Sequence, residues 1–146
     1  MEIINHLGDK FEINISNYHY ENNHSNQFDS DWLDADLILK NGNETFKINL
    51  EFLIIEELEK MVHWLSKILE DKTEKKTLLF VDPNLKFRVM TRSKINVLKV
   101  IYEIDEFELA VWELIITKEN ILSFIDQLRE DLRLFPCRFL HNHEVN

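Results

Sequence analysis

The residues of this chain that could do chemistry are scattered. Asp29, Asp31, Asp34 and Asp36 form a closely spaced acidic series, preceded by His19 and His24. Paired carboxylates can move protons or hold a divalent cation, so this stretch is the chief raw material for an enzyme. A second acidic run is Glu103, Asp105, Glu106 and Glu108. Near the C-terminus, Cys137 is followed by Arg138, His141 and His143, the residue types from which a thiolate nucleophile can be built.

None of these groups has the spacing that its chemistry requires. His19 and His24 lie in a polar stretch and His63 on a helix flank, without a partner His or Cys at ligand spacing, and His141 and His143 read as part of a frayed tail, so no metal site is expected. Phosphate-cradling loops and nucleophile elbows need several glycines at fixed positions, and Gly8 and Gly42 are the entire supply. No catalytic residue, cofactor or metal is therefore expected. Cys137 reads as a small packing group beside a helix end.

The elements that position the acids explain most of them. Two alternating apolar runs flank Asn41-Gly42, a pair suited to the positive φ angles of a two-residue hairpin loop. With those two residues as the loop, Leu37 faces Phe46, Ala35 faces Ile48 and Leu33 faces Leu50. On the opposite face, Asp36 meets Lys47 and Asp34 meets Asn49. Asp34 and Asp36 then belong to a solvated, charge-balanced strand surface. Glu103, Asp105, Glu106 and Glu108 fall around a short connection between strands over 95–104 and 109–116, where polar residues are ordinary and charge on a protrusion can steer a partner.

Elsewhere, Phe11, Ile13 and Ile15 alternate with polar residues in a further strand, and 17–30 reads as a long polar loop. A helical stripe of Leu58, Met61, Val62, Leu65, Ile68 and Leu69 predicts a helix over about 54–71, followed by a charged loop at 72–76. Residues 78–81 and 85–89 read as strands joined through Asp82-Pro83-Asn84. Thr117 is the expected N-cap of a second helix carrying Ile121, Phe124, Ile125, Leu128 and Leu132, which Phe135-Pro136 ends. The tail 137–146 either packs through Phe139 and Leu140 or frays.

Strand runs with short connections predict an α+β fold: a mainly antiparallel sheet of about seven or eight strands and two amphipathic helices. The helical stripes superimpose at an offset of 63 residues, Leu58, Val62, Leu65 and Leu69 on Ile121, Ile125, Leu128 and Leu132. A duplicated strands-then-helix unit would produce this match, as would any two amphipathic helices. A length of 146 residues with only 2 Gly and 2 Pro fits one domain, 1–146, without a linker.

Charge narrows the function classes. The 27 Asp and Glu against 17 Lys and Arg give a formal net charge of −10, with no dense basic run. Direct binding to nucleic acid or to an anionic membrane is disfavoured, and a basic partner is favoured. No apolar run approaches the roughly 20 residues of a membrane span. One cysteine and an N-terminus without a cationic or apolar leader segment place the chain in the cytosol by expectation.

Several segments carry a resemblance. Asp31-Trp32-Leu33 entering a hairpin, Glu57-Leu58 running to Trp64-Leu65, Phe80-Val81-Asp82-Pro83-Asn84-Leu85-Lys86-Phe87, and Phe135-Pro136-Cys137-Arg138 are similar in order and spacing to the WapI family of bacterial immunity proteins. The similarity spans about residues 29–138. It departs at Asp82, where members often carry Glu, and at the short 105–108 connection, where members are longer. The resemblance implies a non-enzymatic cytosolic antidote that binds a cognate toxin of a polymorphic or contact-dependent system. It carries over no site residue.

The expected function is thus neutralisation of a basic, nuclease-type toxin by binding, with Glu103, Asp105, Glu106, Glu108, Asp34 and Asp36 as the contact residues. Two alternatives stand beside it. One is a small-molecule-binding or scaffold module, which would show a deep apolar cavity. The other is an enzyme using the dispersed Asp and His residues of 19–36, which would show convergent titratable groups in a pocket.

Overall fold

The computed structural model describes residues 1–20, 27–70 and 76–138. Eight strands and three helices lie within them: β1 (Glu2–Ile4), β2 (Lys10–Tyr18), α1 (Gln27–Asp31), β3 (Trp32–Asn41), β4 (Glu44–Ile54), α2 (Ile55–Leu69), β5 (Thr77–Leu79), β6 (Leu85–Arg92), β7 (Ile95–Glu103), β8 (Leu109–Ile116) and α3 (Lys118–Leu134). The strands form two antiparallel four-stranded meanders, β1-β2-β3-β4 and β5-β6-β7-β8, each followed directly by a helix. The α+β class is as expected, and the strands divide between two sheets.

The duplication suggested by the helix stripes is architectural. β3 and β7 begin at residues 32 and 95, and α2 and α3 at 55 and 118, so both pairs are 63 residues apart. α1 and the polar stretch before it lengthen the first unit between its second and third strands. β1 and α1 are the elements the sequence reading lacks; at three and five residues they are too short to show a period. The charged loop expected at 72–76 lies outside the described residues except for Lys76, as do His24, Phe139, Leu140, His141 and His143.

The β3–β4 hairpin corrects the expected register. Its two-residue loop is Gly42-Asn43, with Asn41 opposite Glu44, Leu39 opposite Phe46, Leu37 opposite Ile48, Ala35 opposite Leu50 and Asp36 opposite Asn49. The slip is two residues, which returns every side chain to its original face, so the apolar pattern cannot distinguish the registers. Backbone geometry does. The positive φ, 59°, falls on Gly42 at the first loop position, where a type II′ loop takes glycine. Further back, Ser16 in β2 and an extra residue in β4 make bulges that flank Asp34 from both neighbouring strands. Asp34 therefore does not face Asn49, and Leu33 pairs with Leu53 instead of Leu50.

Helix boundaries follow local chemistry. Thr117 caps α3, its Oγ1 accepting from Asn120 N at 3.1 Å while Asn120 Oδ1 accepts from Thr117 N at 2.9 Å. α2 starts after Ile54, which offers no capping oxygen. Glu57 supplies the reciprocal half, its Oε2 accepting from Ile54 N at 3.0 Å. The other oxygen of Glu57 accepts from Val81 N, joining α2 to the turn that precedes β6. Burial pushes this carboxyl above the usual carboxylate range, opposed by the two backbone N–H donors.

Both sheets and both long helices contribute to one apolar cluster. Phe11 of β2 meets Phe87 of β6 edge-on at 5.3 Å and Phe124 of α3 at 5.5 Å; Phe80 closes on Phe87 at 4.7 Å. These contacts bind the two repeats together. Trp64 lies in the same core and Phe80 packs at its margin, whereas Trp32, on the other face of β3 from Leu33, stacks on His19.

Candidate partner-binding surface

The two units place equivalent hairpin ends side by side. One is the β3–β4 end at Asn41 to Glu44, and the other is the β7–β8 connection at 104–108. Between them lies an open cleft of about 290 Å³, lined by Asn41, Glu44, Phe46, Ile104, Glu108, Leu109, Ala110, Val111 and Trp112. Phe46 pairs with buried Leu39 and Trp112 with buried Val100, so both rings lie on the core-facing sides of their sheets. They face each other at 6.4 Å between centroids, with Tyr102 also 6.4 Å from Phe46.

Backbone and side-chain hydrogen bonds shape the 104–108 connection. Ile104 N and Asp105 N donate to Glu108 O at 3.0 and 3.4 Å, and Asp105 Oδ1 accepts from Phe107 N at 2.7 Å. This geometry presents Phe107 at 95% exposure, beside Leu109 at 59%. Asp105, Glu106 and Glu108 are exposed around it, and Glu44 stands across the cleft. Among the described residues, no ion pair involves Glu44, Asp105, Glu106 or Glu108. Glu103 differs, since Lys86 Nζ lies 3.9 Å from its carboxylate.

The other two expected contact residues lie elsewhere. Asp36 and Asp34 sit five and seven residues back from Asn41 along β3, which at roughly 3.3 Å per residue is on the order of 17 and 23 Å. Both occupy the face turned away from the core and are partly exposed. Asp36 contacts Lys47 at 3.8 Å and Asn49 at 3.3 Å. Asp34 Oδ1 is 2.6 Å from His19 Nδ1, and the His19 ring stacks on Trp32 at 4.0 Å. The six acids thus make two separate groups. Neither residue type nor spacing marks Phe107 or Trp112 as contact residues, and Phe46 reads only as part of the apolar hairpin face; the available signal is a large apolar residue, Phe107, inside an otherwise acidic connection.

Asp31 and Cys137 have structural roles. Asp31 is wholly buried, and its carboxylate accepts from Cys137 Sγ at 3.0 Å and from Arg138 N at 2.7 Å. It belongs to the scaffold and not to a solvated acidic face. Among the described residues, no group of three or more His, Cys, Asp or Glu is arranged to hold a metal ion. Among them also, no helix is long and apolar enough to cross a membrane.

The two-sheet body thus carries an open cleft between its hairpin ends, with Glu44 and Glu108 at its sides and Phe46 and Trp112 in its lining. The family model for WapI-like immunity proteins matches residues 2–136, and the chain belongs to that family. No curated protein and no solved structure matches it.

Proposed function

We propose that this protein neutralises a cognate bacterial toxin by binding it, and that it catalyses no reaction. The observation that carries this reading is the match to the immunity family over nearly the whole chain. The partner is a toxin domain basic around its active site, of the kind that cleaves nucleic acid. The net charge of −10 and the acids at the β7–β8 connection support that partner, because charge on a protrusion accelerates association with a basic cleft. Glu103, Asp105, Glu106 and Glu108 make the principal contact in this reading, with Asp34 and Asp36 on a second, separate surface. Residues 1–146 act as one domain in the cytosol, where the toxin would do its damage.

The test is to co-express the chain with the toxin encoded beside it and to follow growth, then to titrate the purified pair in a nuclease assay. Restored growth and stoichiometric loss of toxin activity are expected. No complex at micromolar concentration would overturn the pairing.

A further inference from the structure

We infer that the cleft between the two hairpin ends is an anchor pocket, taking one aliphatic or aromatic side chain from a basic segment of the toxin while Phe107 packs against the toxin beside it. This rests on the immunity reading above and names the surface and the chemistry of its occupant. The cleft, about 290 Å³ and open to solvent, has room for one large side chain. Phe46 and Trp112 reach it from the core-facing sides of both sheets and share its lining with more extensive polar surface. Its lining includes Glu44 and Glu108 from opposite sides and no Lys or Arg. An anion is repelled by that rim. An apolar side chain flanked by lysine or arginine satisfies the two rings and the acidic rim together.

The connection is also prepared for binding. Phe107 is held out by the hydrogen bonds of Asp105 and Glu108, so little ordering remains to be done when a partner arrives. A large exposed aromatic beside a cleft that presents two further aromatic rings, with charge around it, is an arrangement from which binding hot spots are built.

Calorimetry and association kinetics would use a catalytically inactivated form of the toxin encoded beside this gene. The intact chain is compared with Phe107→Ala, with Ala110→Leu, which fills the cleft, with the pair Glu44→Lys and Glu108→Lys, and with Glu59→Lys on α2 as a charge control. Phe107→Ala and Ala110→Leu should each weaken binding at least tenfold through faster dissociation. The double charge reversal should slow association and flatten its salt dependence, and Glu59→Lys should change affinity less than twofold. Phe107 covers almost no buried surface, so its variant keeps the test open if Ala110→Leu does not fold. A tight wild-type complex that both apolar variants leave within twofold, or that only the charge reversals weaken, overturns the anchor pocket and leaves the immunity reading standing. Absence of a wild-type complex overturns both.

Discussion

Asp31 and Arg138, 107 residues apart in the chain, close a buried lock: the Asp31 carboxylate accepts from Arg138 N at 2.7 Å. The Arg138 side chain turns back over the same region, donating from Nε to Ser30 O at 2.9 Å and from Nη2 to Tyr20 O at 2.8 Å. Its guanidinium lies 3.7 Å from the centre of the Tyr18 ring, and the Tyr18 hydroxyl donates to Pro136 O at 2.6 Å. The first and last family-like motifs, Asp31-Trp32-Leu33 and Phe135-Pro136-Cys137-Arg138, are two halves of one device. It ties the chain beyond α3 to the entrance of β3.

Asp31→Ala should therefore destabilise the fold strongly while leaving the candidate surface intact. It strands a backbone N–H and an S–H that now share a buried carboxylate, at a cost of about 2–3 kcal/mol. Asp31→Asn, which retains one carbonyl oxygen, should lose roughly half as much. Urea denaturation followed by tryptophan fluorescence measures both, and a change below about 0.5 kcal/mol for the alanine variant would contradict the lock.

Glu57 gives the fold a pH dependence of defined sign. Its folded carboxyl is raised above the ordinary value of 4.5, first by burial, against the pull of the Val81 and Ile54 N–H groups. The folded state thus holds the proton more tightly, so this contribution is fully present below about 4.5 and is lost as pH rises through the folded value. The unfolding free energy of the wild type minus that of Glu57→Gln should fall as pH increases from 4 towards 8. A difference that is flat or grows with pH would refute the assignment.

The β6–β7 loop should be open to improvement. Ser93 and Lys94 both adopt positive φ, 50° and 65°, the type I′ pattern that asparagine and glycine adopt with less strain. Replacing them with Ser93→Asn and Lys94→Gly should stabilise the protein by about 1 kcal/mol. Thermal unfolding reads this directly; a lowered midpoint would mean that the present side chains do something beyond forming the loop.

A helix side chain closes the free edge of the first sheet. Gln127 Oε1 accepts from Glu2 N at 2.7 Å and its Nε2 donates to Glu2 O at 3.1 Å, imitating a neighbouring strand. Gln127→Ala should cost about 1 kcal/mol and speed amide exchange at Glu2 severalfold. Unchanged exchange there would show that the edge is protected by other means.

Strand existence, helix faces and the second helix's cap were legible because each depends on neighbours in the chain. Thr117 and Asn120 are three residues apart, and β8 occupies the expected 109–116. The hairpin register was not legible, because a slip of two residues preserves the apolar face and only the φ of Gly42 separates the alternatives. Nor was Asp31: within a row of similar aspartates, nothing local says that one is sealed beneath a segment more than a hundred residues away.

The sequence by itself determined the periodicities, the acidity, the scarcity of glycine and the 63-residue echo between helices, since these are properties of residue type and spacing. Tertiary structure alone decided that the echo is a pair of meanders each followed by a helix, that Phe46 and Trp112 meet across a cleft, and that Asp34 and Asp36 stand apart from the acids around Phe107. Those outcomes depend on how two sheets pack, and packing joins side chains whose separation along the chain carries no information about their separation in space.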